Sequence, residues 1–226
     1  MDIVQKIFTA DNLLFMARSA GWSIIIAVCA LLAGTVLGIL AAAARISKSR
    51  ILRAISTVYV EFIRGTPMLV QILFWFLGFP VVCKAITGSA VNIDPYAIGI
   101  IAMGINSGAY SCELIRSAIM AVDRGQWEAA QALGLSYTGM MRHIILPQAF
   151  KRIVPPLVSE FVTLIKDSSL ISTIGAVELT QSAKVLGARY YNFILPLALA
   201  CVVYLTLTLT ISHFGKKIER KLAESD

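Results

Sequence analysis

Ready metal ligands are scarce. There are two histidines and four cysteines in 226 residues. His143 and His213 have no ligand partner at helical spacing, and Cys29, Cys83, Cys112 and Cys201 form no CxxC. The cysteines read as small apolar packing residues, and a metal site has no support. No nucleophile, base and orienting group recur together, so the chain does not read as an enzyme. No GxxxxGK[ST] occurs either, so nucleotide phosphates have no such cradle. No basic stretch precedes a short apolar core at the start, and the first 18 residues do not read as a cleavable signal. Charge is also thin: 15% of residues carry one, against about a quarter in a soluble domain.

What is present is long apolar sequence. Mean hydropathy is +0.78. Ser19–Ala44 and Tyr190–Gly215 each run 26 residues without a charge, Gly65–Cys83 runs 19, and Pro95–Cys112 runs 18. A bilayer takes about 20 apolar residues at ~1.5 Å rise each, so four segments qualify as spans. A fifth, 153–177, is interrupted by Glu160, Lys166 and Asp167 but is apolar around them. Ionisable residues inside a membrane are costly and face a bundle interior or a cavity. The basic residues alternate between connections: two in 1–18, four in 45–53, one in 81–94, four in 121–152, two in 178–189 and four in 214–226. Cytoplasmic connections are enriched in Lys and Arg. The alternation therefore predicts five transmembrane helices, N-terminus outside and C-terminus inside, in an all-α integral membrane protein. The net charge of +7 is spread over those connections, so no nucleic acid partner is expected. Ile3, Val4, Ile7 and Phe8 share one helical face, which predicts an amphipathic outer-surface helix in 1–18. The membrane domain spans 19–213, and 214–226 is a basic cytoplasmic tail.

Residues 121–150 are too patterned for a linker. Gln126–Leu133 favours helix, Gly134 stands where a left-handed C-cap belongs, and Ser136 can cap a second helix through Ile145 that Pro147 ends. A helix, a sharp glycine bend and another helix form either a docking knob or an ordinary interfacial helix pair. The spacing adds to this. Trp127, Glu128-Ala129-Ala130, then Gly134, then Ile144-x-Leu146-Pro147 resembles the EAA loop of binding-protein-dependent ABC importers. Glu61-Phe62-Ile63-Arg64-Gly65-Thr66-Pro67 with Gln71 opens the second span. Asn106-Ser107-Gly108-Ala109-Tyr110 with Glu113 and Arg116 lies in the third, and Leu164-Ile165-Lys166-Asp167-Ser168-Ser169-Leu170 in the fourth. Together they resemble the polar amino acid branch of ABC permeases (histidine, glutamine, arginine, opine type), over about residues 19–220.

The resemblance implies a type I importer permease fold in a bacterial inner membrane. It also implies partners: an ATP-binding subunit in two copies, a second permease (identical or related), an extracytoplasmic amino-acid-binding protein, and an amino acid substrate. In that family the loop is a coupling helix seated in a cleft of the ATP-binding subunit. ATP and Mg belong to that subunit, and this chain binds no cofactor. Glu128 to Ala130 are expected to face it.

The intramembrane charges are the candidate site. Glu61 with Arg64 and Glu113 with Arg116 are i,i+3 pairs able to neutralise themselves. They are either self-paired helix ends or part of a gate or relay. Glu160 and Asp167, two turns apart, share a face with Thr163 between them. Asn106, Tyr110 and Glu113 form a polar stripe at i, i+4, i+7 on the third span, at comparable depth by ~1.5 Å per residue. Carboxylates suit the ammonium of an amino acid zwitterion, and Asn and Tyr donors suit its carboxylate. Glu160, Asp167, Asn106, Tyr110 and Thr163 are thus the expected substrate contacts, with a structural or gating role for Asp167 the alternative. An ion-coupled secondary carrier fits less well, because five spans make no inverted repeat of equal halves. A channel or scaffold subunit would not need charges at mid-membrane on two helices.

Overall fold

The computed structural model describes residues 3–89 and 93–223, and every regular element among them is helical. Four helices are long and apolar enough to cross a membrane: Ala10–Ile46, Met68–Thr87, Pro95–Met120 and Ile194–Leu222.

The start of the chain differs from the expected single surface helix. Helix α1 covers only Ile3–Ile7. Thr9 then adopts extended backbone and its hydroxyl accepts the Asn12 N–H at 3.4 Å, starting α2 at Ala10. A capping threonine ends one helix as it begins the next. Asn12 fastens the break, its side-chain amide donating to the Lys6 and Ile7 carbonyls and to the Tyr190 hydroxyl. Ile7 is buried, and Ala10–Arg18 already belongs to the helix that spans as α2, Ala10–Ile46.

Helix α3, Arg50–Arg64, is a separate amphipathic helix capped by Ser49. The Glu61–Pro67 motif therefore does not open the second span but straddles a joint. Pro67 offers no N–H and holds extended backbone (φ −66°, ψ 136°), so α3 stops and α4, Met68–Leu73, starts afresh. Gln71 closes the joint by donating to the carbonyls of Ile63 (2.8 Å) and Thr66 (3.1 Å). A π turn, Phe74–Gly78, carries the helix on into α5, Phe79–Thr87.

At the centre lies α6, Pro95–Met120, capped by Asp94. Of its apolar window 61% is buried, against 11% for the Met68–Thr87 span and 11% for the last helix. Small residues allow this. Gly34 and Gly38 of α2 face Ser107 and Ser111 of α6, where an added β-carbon would stand 2.7 and 2.5 Å from the serine β-carbons. Small residues spaced by four let backbones approach where hydrophobic burial gives no drive between helices.

After α7 (Arg124–Ala132) and α8 (Tyr137–Met140), the chain turns through a π segment, Met141–Ile145, into α9, Leu146–Asp167. Pro147 does not end the helix as expected. The wider turn, closed by the Leu146 N–H on the Met141 carbonyl, makes room for a proline in the first turn of α9. A 3₁₀ segment, Ser168–Ile174, extends α9 until Gly175 turns the chain at φ +88°. Residues 178–189, expected as a connection, hold helix α10, Leu179–Tyr190. Its N-cap Glu178 is fully buried, accepting from the Thr180 and Gln181 N–H groups (both 2.8 Å), the Tyr204 hydroxyl (2.7 Å) and the Ser23 hydroxyl (3.4 Å). Helix α11, Ile194–Ala223, continues into the basic tail, whose last residues, 224–226, lie outside the described residues.

Candidate functional site

The α3–α4 joint, the middle of α6 and the latter half of α9 enclose a cavity of about 550 Å³. All five expected substrate contacts line it: Asn106 and Tyr110 from α6, and Glu160, Thr163 and Asp167 from α9. Arg64 and the turn Gly65–Met68 close the third side. Spacing on two helices brought these residues to matching depth, and packing of α9 on α6 brings them together.

Their engagement is uneven. Asn106 is buried and donates to the Gln71 side-chain oxygen at 2.9 Å, so one of its amide hydrogens is committed. The Thr163 hydroxyl donates to the Ser159 carbonyl at 3.1 Å. Glu160 and Asp167 are half-buried, and neither forms an ion pair among the described residues.

A second cavity of about 560 Å³ adjoins the first and shares Arg64, Tyr110, Glu160 and Thr163 with it. It continues along α6 past Glu113 and Ser117, with Pro155 and Pro156 of α9 opposite and Glu219 of α11 at its edge. The two cavities form one polar track along the α6–α9 seam.

Beside the track the charges pair differently from expectation. Glu113 and Arg116 do pair on their own helix, through two hydrogen bonds. Glu61 and Arg64 do not. Arg45, in the last turn of α2, reaches between α3 and α6 and binds Glu113 at 3.0 Å and Glu61 at 3.4 Å. Arg64 lies instead over the Tyr110 ring, 5.3 Å from its centroid. Sequence spacing sees only neighbours on one helix, so a cation arriving from another was invisible to it. Arg64 and Gln71 were both in the quoted motif, but nothing in the sequence placed Arg64 at the cavity or Gln71 behind Asn106. Glu178 gave no signal, because glutamate is not among the residues that usually cap a helix N-terminus.

The elbow of residues 121–147 follows its sequence closely. Asp123 starts α7 by accepting the Gly125 N–H at 2.7 Å. Gly134 sits at φ +73°; its N–H reaches the Gln131 carbonyl and the Leu135 N–H that of Ala130. This is a Schellman closure. Ser136 caps α8 through the Gly139 N–H. Glu128, Ala129, Gly134, Leu146 and Pro147 are exposed, while Trp127 and Ile144 are half-buried. Ala130 departs from expectation. It is fully buried beneath α7 among Met140, Ile145 and Ala149, so it faces the chain's own core rather than a partner. One turn of helix separates residues by only about 360°/3.6 each, so three consecutive residues cannot share an outward face. The Arg152 guanidinium, donating to the Ala121 carbonyl, and a Gln148–Gln126 hydrogen bond at 3.3 Å tie the elbow to α9.

Known proteins share this architecture. The family described as "Binding-protein-dependent transport system inner membrane component" matches residues 34–224. The arginine transport system permease protein ArtQ of Bacillus subtilis (strain 168) is 36% identical over 218 residues, covering 96% of this chain and 97% of that one. The putative glutamine transport system permease protein GlnP of Rickettsia prowazekii (strain Madrid E) is 36% identical over 211 residues, covering 93% and 94%. A crystal structure of an amino acid ABC transporter with histidines superposes with a TM-score of 0.88 at 32% identity, over 98% of this chain and 99% of that chain. With the family matched over residues 34–224 and relatives matched along nearly its whole length, the chain belongs to the binding-protein-dependent transport system inner membrane components, the permease subunits of ABC importers.

Proposed function

We propose that this permease subunit carries a polar amino acid along the α6–α9 seam, driven by ATP on a partner. The observation that carries the reading is the meeting of Glu160 and Asp167 with Asn106 and Tyr110 around one cavity. Its volume of about 550 Å³ falls in the usual range of small-molecule sites, about 300–1,000 Å³. Two carboxylates that form no ion pair among the described residues suit an ammonium group, or two when the side chain is basic. The similarity to arginine and glutamine permeases supports an amino acid cargo.

Five spans enter this reading, α9 being the fifth, with the N-terminus outside and the elbow and basic tail in the cytoplasm, as the distribution of Lys and Arg requires. A binding protein delivers the cargo to the outer face. A second permease, identical or related, provides the other wall of the pathway. Two ATP-binding subunits hold ATP and Mg and close on each other, pushing on α7 through Glu128, Ala129 and the Gly134 bend. Helix α9 leaves the elbow directly, so the push reaches Glu160 and Asp167 along one helix, and the track is exposed alternately to either side.

Uptake of labelled amino acids into vesicles holding the whole complex, with unlabelled competitors, identifies the cargo. Glu160→Gln keeps the shape and removes the charge. It should lower uptake about tenfold or more, as for loss of a charge-assisted hydrogen bond, with the strongest effect on basic amino acids and no change in affinity of the binding protein. Unchanged uptake of every amino acid tested would remove Glu160 from the pathway.

A further inference from the structure

The cavity holds two carboxylates and one guanidinium, and the guanidinium forms an ion pair with neither of them. Arg64 ends α3, and the glutamate one turn before it, Glu61, is held by Arg45 at 3.4 Å. Glu113 is divided between Arg45 and Arg116. Arg64 forms no ion pair among the described residues. Its contact is the face of Tyr110, 5.3 Å from the ring centroid. A ring face holds a cation but occupies none of the five in-plane N–H donors of a guanidinium. Arg64 lines both cavities of the track, together with Tyr110 and Glu160.

We propose that Arg64 binds the α-carboxylate of the transported amino acid, across the cavity from the Glu160 and Asp167 carboxylates that receive its ammonium group. The proposal rests on the cavity reading above and adds the anion half of the recognition. A planar fork of N–H donors matches a carboxylate through two parallel hydrogen bonds, stronger than the ring contact it replaces. Tyr110 is then a resting place for the guanidinium between passages. Because Arg64 borders both cavities, one long flexible side chain stays within reach of the cargo on either side of the Tyr110 level.

The test uses the assembled complex of permeases and ATPases in lipid nanodiscs, without the binding protein, so that receptor selectivity does not enter. Binding of L-arginine and L-glutamine is measured beside L-argininamide and L-glutaminamide, which lack the carboxylate charge. The readout is the acid-to-amide affinity ratio and its change on substitution. Arg64→Gln should lower that ratio about tenfold to a hundredfold, the range for a charge-assisted hydrogen bond. Arg64→Lys should fall between, since a point charge keeps attraction but loses the fork. Glu160→Gln should weaken acids and amides alike, because both carry the ammonium group. If Arg64→Gln leaves the ratio at its wild-type value while Glu160→Gln weakens both probes, the cavity reading stands and the Arg64 assignment falls. If the wild-type complex binds neither probe, the cavity reading falls and takes this assignment with it.

Discussion

Two groups of charged side chains border α6, and the fold treats them in opposite ways. At the α2–α3–α6 junction, Arg45, Glu61, Glu113 and Arg116 are linked into one chain of ion pairs. In the cavity, Glu160 and Asp167 of α9 and Arg64 of α3 line one space with no ion pair between them. Charge within a membrane is costly unless met. The linked group is met by the chain itself, although one member, Glu113, also lines the second cavity. On the proposed reading, the unlinked group is met by the transported amino acid. Glu178 extends the first pattern without any cation: it is fully buried yet accepts from four donors.

The contrast breaks most readily at Arg45. Arg45→Met should cost about 2 kcal/mol, since hydrogen bonds to charged groups are worth ~1.5–3 kcal/mol. The thermal midpoint of the purified complex should drop by about 4–8 °C, at ~2–4 °C per kcal/mol for a chain of this size. Uptake per folded complex should remain near wild type. A large loss of uptake without a lower midpoint would make the junction part of the pathway and erase the distinction.

A smaller effect is expected at the elbow, which is neither a buried ion network nor a cavity but a shape. No atom crowds a β-carbon at Gly134, so the cost of Gly134→Val is that of the left-handed backbone alone, about 1–2 kcal/mol. The subunit should insert normally, while uptake per ATP hydrolysed falls about five- to thirtyfold, the population equivalent of that strain. Normal coupling at normal expression would separate the Gly134 bend from the ATPase contact.

The least effect is expected at Glu178. Tyr204→Phe removes one of its four donors, worth about 1 kcal/mol, and should lower the midpoint by only about 2–4 °C with uptake unchanged. If uptake falls instead, the α10 brace takes part in transport and the two patterns are no longer distinct.

What the sequence disclosed follows the range of each interaction. The elbow was legible almost to the residue, because Asp123, Gly134 and Ser136 act on backbone groups two to five positions away. Four spans were legible because length and apolarity are summed properties. Pro147 misled because its tolerance depends on the π turn before it, and no sequence rule signals that turn. The partners of Glu61 and Arg64 were hidden because Arg45 comes from another helix. The five cavity residues follow from period and depth, while Arg64 was hidden because Glu61 offers a partner one turn away on its own helix.

The contact of Gly34 and Gly38 with Ser107 and Ser111 has a consequence for motion. An added β-carbon would stand 2.7 and 2.5 Å from the serine β-carbons, so α2 and α6 pack nearly backbone to backbone and form one closely packed body. Asn106 and Tyr110 are fixed to that body, whereas Glu160, Thr163 and Asp167 ride on α9. One width of the track is then the distance of α9 from that pair, the third side being Arg64 and the Gly65–Met68 turn. The far end of α9 is the elbow itself, so on the proposed reading a push there reaches the cavity through a helix that carries Pro155 and Pro156 midway.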